Sequence, residues 1–361
     1  MAFVRALILV AIAVSSAPAL AQSSSPAPAD AQQKDRLAAR SSPWLVVPVF
    51  SSSPKLGTAV GGIGAYLNTF DPESRVSLFG VMYEYTSTHS QVAALFARMS
   101  FGADHHRVIV MAPFGHIKND YDDYLGTGQP LNTNDDLRAV VTRYMYRTTG
   151  DWFIGGQGSA ANYQVLGASP EDELVLDTLG VRGLKSAAVG AVVMHDSRDN
   201  EDMPTRGWYS NVNSLAYREA LGGESSYDAY RVEFRAFRTH GDRHVLAVRQ
   251  FNWLTYDAPT SAQASVTLRG YKFGQYLAPY MSSMEVEERL SFSPRWGATI
   301  FGGAAGLYGE TTLPLGRSFY PMVGAGVHFV LKPDARMIVN LEYAQAVEDN
   351  QGVYVKLGYA W

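Results

Sequence analysis

From Pro43 onward, apolar and polar residues alternate with a period of two, and each run stops at Gly, Asp, Asn or Pro. That period puts successive side chains on opposite faces of a β-strand. The last ten residues show it best. Val353, Val355, Leu357, Tyr359 and Trp361 share one face, wholly apolar and ending in aromatics, while Tyr354, Lys356, Gly358 and Ala360 share the other. A strand with bulky aromatics at its very end fits a transmembrane antiparallel β-barrel, whose aromatic girdles sit at the membrane interfaces. The pattern predicts about 16 strands. They lie near 43–50, 57–70, 75–86, 90–101, 106–117, 137–148, 151–164, 184–196, 206–220, 225–239, 243–257, 283–293, 296–309, 318–331, 336–346 and 351–361. No amphipathic helix of useful length is read in the chain.

The connections sort by length. With the N-terminus in the periplasm, every second link faces the periplasm and should be short. Those links are 71–74, 102–105, Gly150, 241–243 and 332–335, with the stretch after Asp196 as the exception. The long links 118–136, 165–183 and 258–282 all fall on the other side. Facing follows from charge. Near 225–239, Tyr230, Val232, Phe234 and Ala236 alternate with Arg231, Glu233 and Arg235. An arginine on the lipid face costs about 2–4 kcal/mol at the midplane, so the charged set must face the lumen. Arg143, Arg147, Arg249, Glu285, Glu287, Arg289, Glu342 and Lys356 can join it. Either these charges line a solvated interior or they hold something inside.

Composition agrees. Mean hydropathy is −0.09 with 47% hydrophobic residues, 12% aromatics and 21 tyrosines among 361 residues. A helical membrane protein would need apolar runs of roughly 20 residues. The net charge of −4 gives no nucleic-acid surface, and zero cysteines leave no disulfide framework. Residues 1–21 read as a secretory signal peptide: Arg5, the apolar run Leu7 to Val14, then Ala19-Leu20-Ala21 before Gln22. Residues 22–42, rich in Ser, Ala, Pro and Gln, read as a flexible periplasmic linker. The barrel is expected over 43–361.

Two stretches go beyond alternation. The first is His195-Asp-Ser-Arg-Asp-Asn200 followed by Pro204-Thr-Arg-Gly-Trp-Tyr209. Asp196, Arg198, Asp199 and Arg206 fall within a dozen residues, closed by Pro204 and Gly207, so this turn can pair with itself. His195, Asp196 and Ser197 do not form a catalytic triad, because adjacent strand residues point to opposite faces. The second is Leu268-Arg269-Gly270-Tyr271, in an unusually long connection. Gly270 permits a sharp turn, and Arg269 offers a planar fork of donors that stays charged.

Together these stretches resemble the bacterial surface antigen family, the BamA/TamA-type outer-membrane assembly factors. In that family a D-[ST]-R-D-N…P-T-R-G-[WY] segment forms a periplasmic turn midway through the barrel. A V-R-G-[FY] tetrad tips the sixth extracellular loop, which folds back into the lumen. Here both motifs fall at the corresponding links, and the resemblance covers residues 43–361. It implies a latch from Arg269, Gly270 and Tyr271 to acids on the wall, with Glu287-x-Arg289 resembling the family's E-x-R element and Glu285 beside it. The family's next strand usually carries F-x-D-x-G. Here Ala304 stands where that Asp would be, which removes one acid and shifts the latch to Glu285 or Glu287. The periplasmic turn motif comprises Asp196, Arg198, Asp199, Asn200, Pro204, Arg206 and Gly207. Val355, Leu357, Tyr359 and Trp361 would form the C-terminal assembly signal. Family members typically carry POTRA domains before the barrel. Residues 22–42 are too few for one, so a barrel-only member is expected.

The resemblance implies an outer-membrane assembly or translocation factor that acts without enzymatic chemistry, cofactor or metal. Its partners would be outer-membrane lipid and lipopolysaccharide, the barrel assembly machinery during biogenesis, and client outer-membrane proteins, with no nucleic acid. The alternative is a passive solute pore with an arginine-rich lumen. Acidic residues 120, 122, 123, 135 and 136 read as a solvated loop, and His105-His106 lacks a third metal ligand.

Overall fold

Alternation yields strands here because each strand can bury one row of side chains in the barrel interior and turn the other row outward. The computed structural model describes residues 43–361 apart from 54–56, 122–123, 125–129, 180, 182, 201–202, 242, 311–316, 333–336, 348–349 and 358–361. The expectations for residues 1–42, and those for Tyr359 and Trp361, lie outside the described residues.

One antiparallel sheet of 16 strands makes up the barrel wall. Its strands run β1 (Trp44–Ser53), β2 (Gly57–Asn68), β3 (Ser77–Thr86), β4 (Gln91–Phe101), β5 (His106–Tyr121), β6 (Leu131–Thr149), β7 (Trp152–Gly167) and β8 (Leu184–Asp196). They continue with β9 (Gly207–Tyr217), β10 (Tyr227–His240), β11 (His244–Tyr256), β14 (Tyr280–Ser291), β15 (Trp296–Tyr308), β16 (Phe319–Lys332), β17 (Met337–Ala346) and β18 (Gln351–Leu357). Each strand pairs with its neighbour in sequence. Two short pieces, β12 (Ala264–Ser265) and β13 (Leu277–Ala278), pair only with each other inside the loop between β11 and β14. β1 and β18 lie side by side. Among the described residues no ladder joins them.

The outward rows are apolar and remain exposed: Val81, Leu95, Ile154, Ile300, Val323 and Leu341 are examples. Two aromatic belts bound them. Trp44 packs on Tyr66, Trp152 on Trp208 and Trp296 on Phe329 at the end bearing the short links. Tyr230, Tyr256, Tyr280 and Tyr308 touch in series at the end bearing the long loops. Inward rows carry the charge. Val353 is exposed outside while Tyr354 is buried inside, so β18 faces as its alternation predicts.

Three details differ from the sequence reading. β5 and β6 run on to Tyr121 and from Leu131, so the expected 118–136 link is mostly hairpin. Asn and Asp there read as breakers. In fact Asn119 donates to Thr133 (2.9 Å) and Asp135 (2.5 Å) across the ladder, and Tyr163 donates to Asp135 as well, so polar residues continue the inward row. A helix, α1 (Pro170–Thr178), lies within the 165–183 link, where none was read. Its start was visible: Ser169 caps it, Pro170 opens it, and Glu171, Asp172 and Glu173 fill the first turn. The third difference concerns Ala304, which pairs in register with Met284 and shares its outward face. The inward positions beside it are Gly303 and Ala305, so Ala304 takes no acid away from the lumen.

Candidate functional site

The 257–279 connection turns back into the barrel instead of leaving it. Apolar side chains hold it there. Val266, Leu268, Tyr271, Tyr276 and Leu277 are buried in the main hydrophobic cluster of the interior. Phe273 stacks on Trp253 of β11, and Tyr271 and Tyr276 both pack on Tyr320 of β16. The tip is fixed by hydrogen bonds. Gly270 N–H donates to the Tyr354 hydroxyl of β18 (2.7 Å), and the Tyr271 hydroxyl donates to the Pro321 carbonyl (2.7 Å). Gly270 has φ +92°, and a Cβ there would sit 3.2 Å from Ala346 Cβ. Both facts call for glycine.

Arg269 is the centre of the contact. It lies 3.2 Å from Glu285 and 2.9 Å from Glu287, both on β14, and 3.1 Å from Glu342 on β17. Its guanidinium also covers the Phe301 ring at 3.4 Å. These side chains are almost wholly withdrawn from water, with Arg269 7% exposed and Glu287 0%. A desolvated arginine is tolerable only when acids surround it. Alternation on β14 aims Glu285, Glu287 and Arg289 inward, two residues apart. On the opposite strand Gly303 leaves room, since a Cβ there would come 2.4 Å from the Met284 carbonyl oxygen. The structure thus brings together Arg269, Glu285, Glu287 and Arg289 from the sequence reading. Glu342, read only as a lumen residue, is a third acid of the contact. Asn340 orients it with a 2.6 Å hydrogen bond. Phe301 and Tyr354 were not singled out in the sequence. Tyr354 could have been found as an aromatic on the otherwise polar face of β18.

The ion pairs extend in both directions. Glu285 accepts from Arg249 (3.0 Å), Arg249 donates to Glu233 (2.7 Å), and Arg235 donates to Glu233 (2.8 Å). Glu287 accepts from Arg289 (2.7 Å), whose Nη1 donates to the Pro204 carbonyl (3.1 Å). Loop tip and mid-barrel turn are therefore joined through two side chains of β14.

That turn is self-satisfied. Arg198 donates to both oxygens of Asp196 (2.7 and 3.0 Å). Asp199 accepts from the Thr205 N–H and hydroxyl and from the Arg206 N–H, and Asn200 accepts from Met203 N–H. Gly207 has φ +94°, and a Cβ would meet the Ser197 carbonyl oxygen at 2.2 Å. His195 is stacked on Trp208 at 3.6 Å. A second cluster closes the same end. Asp104, in the turn after β4, accepts from Arg107 (2.6 Å), Arg147 (2.5 Å) and Ser100 (2.6 Å). Arg75 bridges Asp104 (3.5 Å) and Asp196 (4.0 Å). Burial alone would raise the Asp104 carboxyl. Hydrogen bonds from Arg107 and Ser100, with the charges of Arg107 and Arg75, outweigh it and hold the group below the usual carboxylate range.

Of the C-terminal residues, Val355 is half-buried and Leu357 ends β18.

The fold is similar to solved structures of BamA and CdiB. For BamA from Haemophilus ducreyi lacking POTRA domains 1-3, the TM-score is 0.62 at 11% identity, covering 88% of this chain and 70% of that one. For CdiB from Escherichia coli the TM-score is 0.61 at 13% identity, covering 88% and 62%. For CdiB from Acinetobacter baumannii it is 0.58 at 11%, covering 88% and 59%. This chain thus spans less than two thirds of either CdiB. At these identities the likeness establishes the fold. No family model and no curated protein matches the sequence.

Proposed function

We propose that this protein is an outer-membrane barrel that aids the insertion or translocation of other proteins, without enzymatic chemistry. The observation that carries the reading is the loop latched inside the lumen by Arg269 and three buried glutamates. A passive pore needs an open lumen, and a latched loop obstructs it. The apolar outward rows between two aromatic belts suit a bilayer, and the long loops would then be extracellular. The similarity to BamA and CdiB supports the same reading.

The mechanism is strand addition. β1 has an unladdered edge facing β18, and such an edge is a template for another strand. Pro48 in β1 has no N–H to offer a ladder, which suits an edge strand. A client segment would pair there through its backbone and leave sideways into lipid.

The test uses proteoliposomes. A small urea-unfolded outer-membrane β-barrel should fold faster into vesicles holding this protein than into empty ones. A disulfide engineered between β1 and β18 should abolish the gain, and the cysteine-free sequence makes that tether clean. Equal rates in loaded and empty vesicles would overturn the proposal. Conductance separates the alternative, which the lumenal arginines favour. Small, flickering currents that become large when residues 258–279 are deleted fit a plugged barrel. A large, steady wild-type current would favour the pore.

A further inference from the structure

The β6–β10 wall carries a row of polar side chains unlike the latch. Arg143 on β6 donates through Nε (3.2 Å) and Nη2 (2.7 Å) to Gln157 Oε1 on β7. Gln157 Nε2 donates to Asn213 Oδ1 (3.2 Å) and to the Ser214 carbonyl (2.8 Å) on β9. This reach crosses β8 at Gly190, the register partner of Gln157. No side chain fits there, since a Cβ at Gly190 would lie 1.8 Å from the Ser214 carbonyl oxygen. Asn213 pairs in register with Arg231 of β10, whose guanidinium lies 4.8 Å from the Trp253 ring centroid.

The amide orientations follow from the arginine. Arg143 can only donate, so Gln157 must present its oxygen to Arg143 and its nitrogen to Asn213. That fixes Asn213 with its oxygen toward Gln157. The side-chain acceptors linking the row are thus engaged, and the groups left over are donors: Arg143 Nη1, the Asn213 amide nitrogen and the Arg231 guanidinium, whose buried Nε has no partner. Among the described residues no carboxylate pairs with Arg143 or Arg231, and the two charges repel each other. Glu233, two residues along β10, is already bonded by Arg235 and Arg249.

We propose that this row binds a phosphate-type oxyanion that enters from the aqueous lumen. Two guanidinium groups and an amide, all donating, match an oxyanion's several acceptors. The source is a soluble anion and not a lipid headgroup. Strands β6 through β11 pair in sequence, and the β8–β9 ladder skips only Gly190 and Ala191, the latter donating its N–H to the Ser214 hydroxyl. No gap there admits an acyl chain, and the unladdered junction lies elsewhere, between β1 and β18. The inference is independent of whether the barrel assembles proteins or conducts solutes.

The test is calorimetric titration of the full barrel, folded in a maltoside detergent, with sodium pyrophosphate at constant ionic strength. Saturable one-to-one binding is expected. Arg143→Gln and Arg231→Gln should each weaken it by about tenfold or more. Arg238→Gln, on the exposed face of the same strand, should change nothing. Asn213→Asp places a carboxylate among the spare donors, so it should abolish binding and raise the melting temperature in anion-free buffer. Micelles doped with phosphatidylglycerol should give no binding that these variants remove. Heat modifiability on gels reports folding, and if the arginine variants do not fold, Asn213→Asp decides. No saturable heat in wild type, or undiminished binding in Asn213→Asp, would overturn the proposal, as would variant-sensitive binding of phosphatidylglycerol in place of pyrophosphate.

Discussion

Two walls of one lumen carry arginines in opposite states. On β14 and β17, Arg269 meets Glu285, Glu287 and Glu342, and the network runs on through Arg249 and Arg289. On β6–β10, Arg143 and Arg231 have neutral or aromatic neighbours and, among the described residues, no acid. Alternation alone would place all of these side chains inward. The difference lies in what each wall faces. The first faces a folded-in loop, where water is excluded and a lone charge would be very costly. The second lines the remaining interior, where a guanidinium stays partly solvated.

The largest expected effect therefore falls on the first wall. Arg269→Ala leaves three buried glutamates without their shared cation, and breaking such a cluster typically costs about 3–5 kcal/mol. Residues 258–279 should become sensitive to added protease in the folded barrel, and the urea midpoint should fall. Unchanged protease resistance would mean that the apolar contacts of Leu268, Tyr271 and Tyr276 alone hold the loop.

Gly270→Ala should cost less. The left-handed backbone penalises a Cβ by about 1–2 kcal/mol, and Ala346 stands in contact distance. The loop should loosen at its tip while the Arg269 ion pairs persist. Proteolysis at 268–272 without release of the whole segment is the expected pattern.

These two neighbours also show what the sequence makes legible. Arg269-Gly270 stood out because Leu268-Arg269-Gly270-Tyr271 resembles the family's tetrad and sits in an unusually long connection. Glu285, Glu287 and Arg289 stood out because charges on a barrel strand must face inward. Glu342 was legible as inward, but not as a partner of Arg269, because 73 residues separate them and only the barrel's curvature closes the gap. Phe301 carried no signal as a latch residue, since an aromatic on a membrane strand is expected to face lipid; Tyr354 carried one that was not used, its place on the otherwise polar face of β18. Helix α1 was missed although its capping letters were present, since nine residues of mixed polarity give no amphipathic stripe. Outside the longer β5–β6 hairpin most strand ends were read to within about three residues, because period two is enforced along the strands by lipid outside and the filled interior.

Acid should separate compensated sites from the uncompensated row. Asp104 is ionised against Arg107 and Arg147 in a turn outside the strands, with its carboxyl held below the usual range. A depressed pKa stabilises the folded state at neutral pH. That contribution fades as pH falls below the ordinary carboxylate value and through the folded one. The gap in melting temperature between wild type and Asp104→Asn should be widest at neutral pH and close in acid. Arg143 and Arg231, which do not titrate in this range, should add no such dependence. A gap independent of pH would mean that hydrogen bonding by Asp104, and not its charge, matters.

The smallest effect is the sharpest test of the contrast. Arg231→Gln removes a half-buried cation where Arg269→Ala removes a buried one, and no carboxylate among the described residues is left stranded. What is lost is the contact with the Trp253 face, worth about 0.5–2 kcal/mol. What is relieved is repulsion from Arg143 and the burial of an Nε that has no partner. These oppose each other, so the urea midpoint should move by no more than about 1 kcal/mol equivalent. A loss as large as that of Arg269→Ala would show that an acid engages Arg231 in the membrane, and the two walls would then differ only in degree. Near-neutral stability would show that the row's positive charge is carried for something other than folding.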